Sequence, residues 1–175
     1  MTLWTPTHIR TLLPSIIGMI LIAAVLRMTL GKKNITVRRI PFQILACLIV
    51  ALEIGKQAVS FSHGYDLYHI PLHFCSLFLF SIPLMAFYRG KHEAVVRTVT
   101  TVLCGSAMLL MTIYPALIYP AWDVENYFSG YFSFHTVTFH GLVYFAYLLI
   151  LTLQLYGDFG RRERKATLAE RIFGK

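Results

Sequence analysis

The chain has 175 residues, 57% of them hydrophobic and 14% charged, with a formal net charge of +8. That balance excludes a water-soluble domain of this size and reads as an all-α polytopic membrane helix bundle. The basic residues sit at the ends of apolar segments with no basic-aromatic face among them, so the charge marks membrane topology and no nucleic-acid partner is expected.

Residues 12–30 are apolar except for Arg27. At about 1.5 Å per residue they are long enough to cross about 30 Å of hydrocarbon, and they are expected to form the first span. A signal peptide is the alternative, but no small-residue cleavage site follows. Residues 31–39 carry Lys32, Lys33, Arg38 and Arg39 and are expected in the cytoplasm. The second span is expected over residues 40–60. Its last third holds Glu53, Lys56 and Gln57 at i, i+3 and i+4, hence on one helical face. Each such charge costs about 2.5–3.5 kcal/mol at a helix centre, so the Glu53/Lys56 pair either faces inward or snorkels to the headgroups.

After a short turn containing Gly64, the third span is expected from His69 to about Tyr88, with Pro71 accommodated in its first turn. Arg89, Lys91 and Arg97 mark another cytoplasmic loop. The fourth span is expected over residues 95–118, its far end broken by Pro115 and Pro120. Residues 119–134 are rich in Tyr, Phe and Trp, with Asp123 and Glu125 but no Lys or Arg, and read as an interfacial belt outside the cytoplasm. The fifth span is expected over residues 135–156. Residues 161–175 form a basic tail with Leu168, Ile172 and Phe173 at near-helical spacing, suited to the cytoplasmic leaflet. The expectation is therefore a multi-pass cell-membrane protein with a transmembrane domain over residues 1–160 and a tail over 161–175. Five spans, N-terminus outside and C-terminus cytoplasmic, leave only Arg10 and Lys56 on the outer side.

That orientation gathers Glu53, Lys56, His69, His73, Cys75, His135 and His140 in the outer half. Ionisable groups in hydrocarbon are costly and mark candidate sites. The three cysteines, Cys47, Cys75 and Cys104, are too widely spaced to read as a C-x-x-C pair or a disulfide framework. At about 100° per residue His73 and Cys75 point some 160° apart in a regular helix, whereas His69 and His73 share a face. A base for Cys75 must come from another span. His140 is best placed by depth, with His135 nearer the mouth.

Pro71-Leu72-His73-Phe74-Cys75, the Tyr-Pro pairs closing the fourth span and His140-Gly141 resemble bacterial YwaF-type membrane proteins over about residues 40–155. These are related to eukaryotic transmembrane protein 164, a phospholipid acyltransferase. The resemblance implies a helical membrane protein in which the cysteine matching Cys75 carries an acyl group and the histidine matching His140 assists. Phe139 departs from the pattern, replacing a small polar residue before His-Gly, and the chain ends where further spans are expected, so it reads as a short or truncated member.

The expected chemistry is nucleophilic catalysis by Cys75 with His140 as base and His73 beside them, Glu53, Lys56, His69 and His135 supporting. Membrane lipids are the expected partners, with a second copy of the chain or another membrane protein as further candidates. No cofactor or metal is expected. Two alternatives remain open. His69 and His73 at i and i+4, with His135 or His140 opposite, suit zinc or haem, and a non-catalytic membrane partner or transporter component fits the composition equally.

Overall fold

The computed structural model describes residues 4–65, 70–71 and 73–153, and all regular structure among them is helical. Helix α1, Pro6–Leu30, starts behind Thr5, whose side chain caps the backbone N–H of His8 while the His8 ring reaches back to the Thr5 N–H. That reciprocal pairing satisfies donors that a helix start leaves orphaned. Asn34 does the same for α2, Ile35–Ser62, accepting from the Val37 N–H at 3.0 Å. Gly64, at φ +78°, supplies the left-handed turn after α2.

The third apolar segment differs from expectation. Pro71 lies outside the helix, His73 is extended, a single 3-10 turn covers Phe74–Ser76, and α3 runs only over Leu77–Phe87. The proline ring disfavours helical geometry at the residue before it, so Ile70 cannot belong to a preceding turn and nucleation waits until Phe74. Helix α4, Glu93–Ile113, stops where Pro115 withdraws a backbone donor. The chain then makes two short helices, α5 (Pro115–Ile118) and α6 (Ala121–Glu125), each opened by a proline. Helix α7, Tyr131–Thr152, begins four residues ahead of His135. The expected five spans thus become four helices long and apolar enough to cross a membrane, α1, α2, α4 and α7, and one shorter apolar helix, Phe74–Phe87.

Helix α7 is the hub. It packs on α1, α2, α4 and α6, while α3 fills the space between α2 and α4. Val143, Ala146, Leu149 and Ile150 of α7 are buried with Phe42 and Ile49 of α2, Phe78 and Ile82 of α3, and Cys104 and Met111 of α4. Outward-facing Leu21 and Met28 on α1, Ile44 and Ile54 on α2, and Val102 and Leu109 on α4 stay exposed, as a bilayer requires and water would penalise. Helix α1 buries only His8, Leu12 and Ala23.

One end of the bundle is a ring of arginines. Arg27 and Arg38 donate to the carbonyls of Thr152 and Leu153 at the end of α7, and Arg89 donates to the Ala86 carbonyl of α3 at 2.6 Å. Cations there satisfy orphan carbonyls and meet the negative end of the helix dipole. Glu93 bridges Arg39 and Arg97 across α2 and α4. Since the long helices alternate in direction, the polar residues of the candidate site collect at the opposite end.

Candidate functional site

The delayed start of α3 sets the position of Cys75. Twelve residues separate it from the end of α3 at Phe87, and twelve separate His140 from the end of α7 at Thr152. Both ends lie in the arginine ring, so both side chains sit about 18 Å above it. At that shared depth Cys75 Sγ is 3.1 Å from His140 Nε2. His140 Nδ1 lies 2.8 Å from the Thr136 carbonyl one turn earlier in α7. A carbonyl can only accept, so Nδ1 carries the proton, and Nε2 turns its lone pair to the thiol. The Cys75 thiol donates to that nitrogen. A half-buried thiol thus meets an imidazole whose tautomer is fixed by its own helix.

The remaining expected residues divide into separate groups. Glu53 is buried between α2 and α7. Its Oε1 lies 2.7 Å from Lys56 Nζ and accepts from Gln57 Nε2 at 2.7 Å, and its Oε2 lies 3.2 Å from His135 Nε2. The pair therefore faces inward, and His135 is buried against α2 instead of standing at the mouth. Five residues apart on α7, His135 and His140 point about 140° from one another, so the carboxylate cluster and the thiol–imidazole pair occupy different faces. Phe139 walls them apart, its ring stacked on His135 at 5.5 Å and edge-on to His140 at 5.6 Å. The residue that departs from the family pattern is thus an aromatic partition. His73 is exposed, and its carbonyl accepts from the Ser76 N–H at 2.8 Å, closing the turn that carries Cys75. His69 lies outside the described residues, as does the basic tail. Among the described residues no three His, Cys, Asp or Glu side chains gather as metal ligands.

Two residues at the site escape sequence reasoning. The Tyr119 ring packs edge-on to His140 at 5.9 Å, and the Tyr119 carbonyl is met at 2.6 Å by Nε2 of His8, a fully buried histidine from α1. The Thr-Pro-x-His start of α1 signals a helix cap, but nothing in the sequence connects it to residue 119. On the other side of Tyr119, a cavity of about 530 Å³ opens between α1, α6 and α7, lined by Met19, Tyr127, Gly141, Tyr144 and Phe145 among others. A more open groove of about 1020 Å³ runs between α2 and α3, with Glu53 and Gln57 in its wall beside Leu79, Phe80 and Leu84. The thiol and the imidazole thus share one depth, with Tyr119 between His140 and the first cavity and Glu53 in the wall of the second.

Compared with known proteins, the chain matches the family model described as the TMEM164 family over residues 3–160. No curated protein and no solved structure matches it.

Proposed function

This chain belongs to the TMEM164 family, and from that premise we propose that it is a cysteine-dependent phospholipid acyltransferase or acyl hydrolase, with Cys75 as nucleophile and His140 as base. The observation that carries the reading is the 3.1 Å approach of Cys75 Sγ to an imidazole nitrogen left unprotonated by the Thr136 contact. The thiol proton passes to His140 Nε2, and the sulfur electron pair forms a bond to the ester carbonyl carbon of a phospholipid. Collapse of the tetrahedral adduct expels the lysolipid alkoxide, which takes the proton back from His140. A second lysolipid hydroxyl, or water, then opens the thioester, giving its proton to the same nitrogen and restoring the thiol. Exposed apolar helix surfaces put lipid within reach of the site. We place the chain with the YwaF-type members, as a multi-pass protein of the cell membrane with its arginine end cytoplasmic and residues 161–175 as a basic cytoplasmic segment.

The test is purified full-length protein in phospholipid vesicles, trapped by acid and analysed by mass spectrometry. The expected result is a hydroxylamine-labile acyl group on the Cys75 peptide, absent from Cys75→Ser. A wild-type protein never acylated at Cys75, or a Cys75→Ser protein that keeps full lipid-acyl turnover, overturns the reading. Addition of a lysolipid separates transferase from hydrolase: labelled diacyl product indicates the first, free fatty acid alone the second.

A further inference from the structure

We propose that His8, at the far end of the sequence from the site, is a positioning residue for the Cys75–His140 pair, acting through Tyr119. The inference rests on the reading of that pair as nucleophile and base. His8 is fully buried, the one polar residue among the three that α1 buries, and both nitrogens of its ring are engaged. The Thr5 N–H donates to Nδ1 at 3.3 Å, and the Thr5 hydroxyl lies 2.7 Å from the same nitrogen. Nδ1 is therefore the acceptor, and Nε2 carries the proton that it donates to the Tyr119 carbonyl at 2.6 Å.

The Tyr119 carbonyl needs that donor. It stands between the end of α5 and Pro120, in a segment where the proline supplies no N–H and regular helix has already stopped. Tyr119 is held at three points. Its N–H donates to the Pro115 carbonyl at 2.7 Å, its hydroxyl meets Met111 Sδ at 3.5 Å, and its carbonyl takes the His8 proton. Held so, the ring lies edge-on to His140 and keeps the imidazole seated toward Cys75. Without the His8 contact the carbonyl turns to find another donor, the ring follows, and the imidazole loses its backing. Small misplacements of a base are costly, since alignment of reacting groups supplies much of the rate.

Glutamine and asparagine separate this role from simple filling. A glutamine amide nitrogen reaches the position of histidine Nε2, whereas an asparagine amide reaches only that of Nδ1. The readout is alkylation of the Cys75 peptide by iodoacetamide, followed by mass spectrometry on full-length protein in vesicles at about pH 7 and about pH 10. It needs no lipid turnover. We expect His8→Asn to slow alkylation roughly 10-fold to 100-fold at the lower pH and to leave the rate within about threefold of wild type at the higher one, where hydroxide competes with the imidazole for the thiol proton. His8→Gln should stay within about twofold of wild type at both. Tyr119→Leu, which keeps the carbonyl and removes the ring, should match His8→Asn, and Tyr119→Phe should match wild type.

A wild-type profile in both His8→Asn and Tyr119→Leu overturns the proposal. So does equal loss in His8→Gln and His8→Asn, or equal slowing at both pH values, which marks a change in access to the thiol and not in its base. If His140→Ala leaves the profile unchanged, the nucleophile–base reading itself fails and this inference with it. If His140→Ala slows alkylation but no acyl group is ever trapped, the acyltransferase reading fails while the positioning role is still decided by the His8 variants.

Discussion

The three thiols carry the same functional group in different settings. Cys104 is fully buried in α4 and Cys47 faces outward from α2, whereas Cys75 is half-buried in a turn with an imidazole nitrogen at 3.1 Å. Cys47→Ala and Cys104→Ala should therefore leave thioester formation near wild type, as read by the acid-trap assay, while His140→Ala should slow it roughly 10²–10⁴-fold, the range for loss of general acid–base assistance. Glu53 makes a different prediction because its work is neutralisation. Its carboxylate meets Lys56, Gln57 and His135 at once, so Glu53→Gln leaves a cation in a poorly hydrated site. Breaking a buried pair costs roughly 3–5 kcal/mol, and the partial exposure of Lys56 reduces this toward about 2 kcal/mol. Lys91→Gln, in an exposed loop, should cost under about 0.5 kcal/mol. Thermal unfolding in detergent compares the two, and equal tolerance would show that Glu53 has no structural partner worth keeping.

At the scale of elements, the fit of α7 against its neighbours depends on two glycines. A Cβ on Gly55 of α2 would stand 2.0 Å from the Tyr131 hydroxyl, and one on Gly105 of α4 would stand 2.9 Å from the Tyr147 ring. The Tyr131 hydroxyl donates to the Leu52 carbonyl at 3.0 Å, joining the start of α7 to the last turns of α2 beside the Glu53 cluster. Gly55→Ala should expel that hydroxyl and cost about 1–3 kcal/mol. Tyr131→Phe removes the nearer clashing atom and leaves the ring carbon at 2.9 Å, so the penalty for Gly55→Ala should shrink in the Tyr131→Phe background, a coupling that a double-mutant cycle on thermal unfolding measures. Strict additivity would mean that the two helices separate there without consequence.

The whole molecule has two chemically opposite ends. Arginines cap α3 and α7 and bridge α2 to α4 at one end, and His8, Glu53, Cys75, His135 and His140 lie toward the other. Charge bias then predicts the side of each. A reporter after Lys33 or Lys91 should read cytoplasmic, and one within residues 121–129 should read outside. A cytoplasmic signal from residues 121–129 would invert the proposed orientation and bring lipid to Cys75 from the inner leaflet.

Hydrophobicity and helix period were enough to read an all-helical membrane bundle from the residues alone, because apolar length and the position of basic residues are local properties that a bilayer acts on directly. They also singled out Cys75 and His140, whose nearness to segment starts follows from counting. Counting misjudged where the helices begin: Pro71 delays α3 to the turn at Phe74, and α7 starts ahead of His135. The two shifts preserve a common depth, since what matters is distance from the arginine-capped ends, and that is fixed by packing. The face of α7 that each histidine occupies, the Phe139 partition, and the reach of His8 to a carbonyl 111 residues away depend on which helices become neighbours. Periodicity within one segment carries no term for that, and only the assembled bundle decides it.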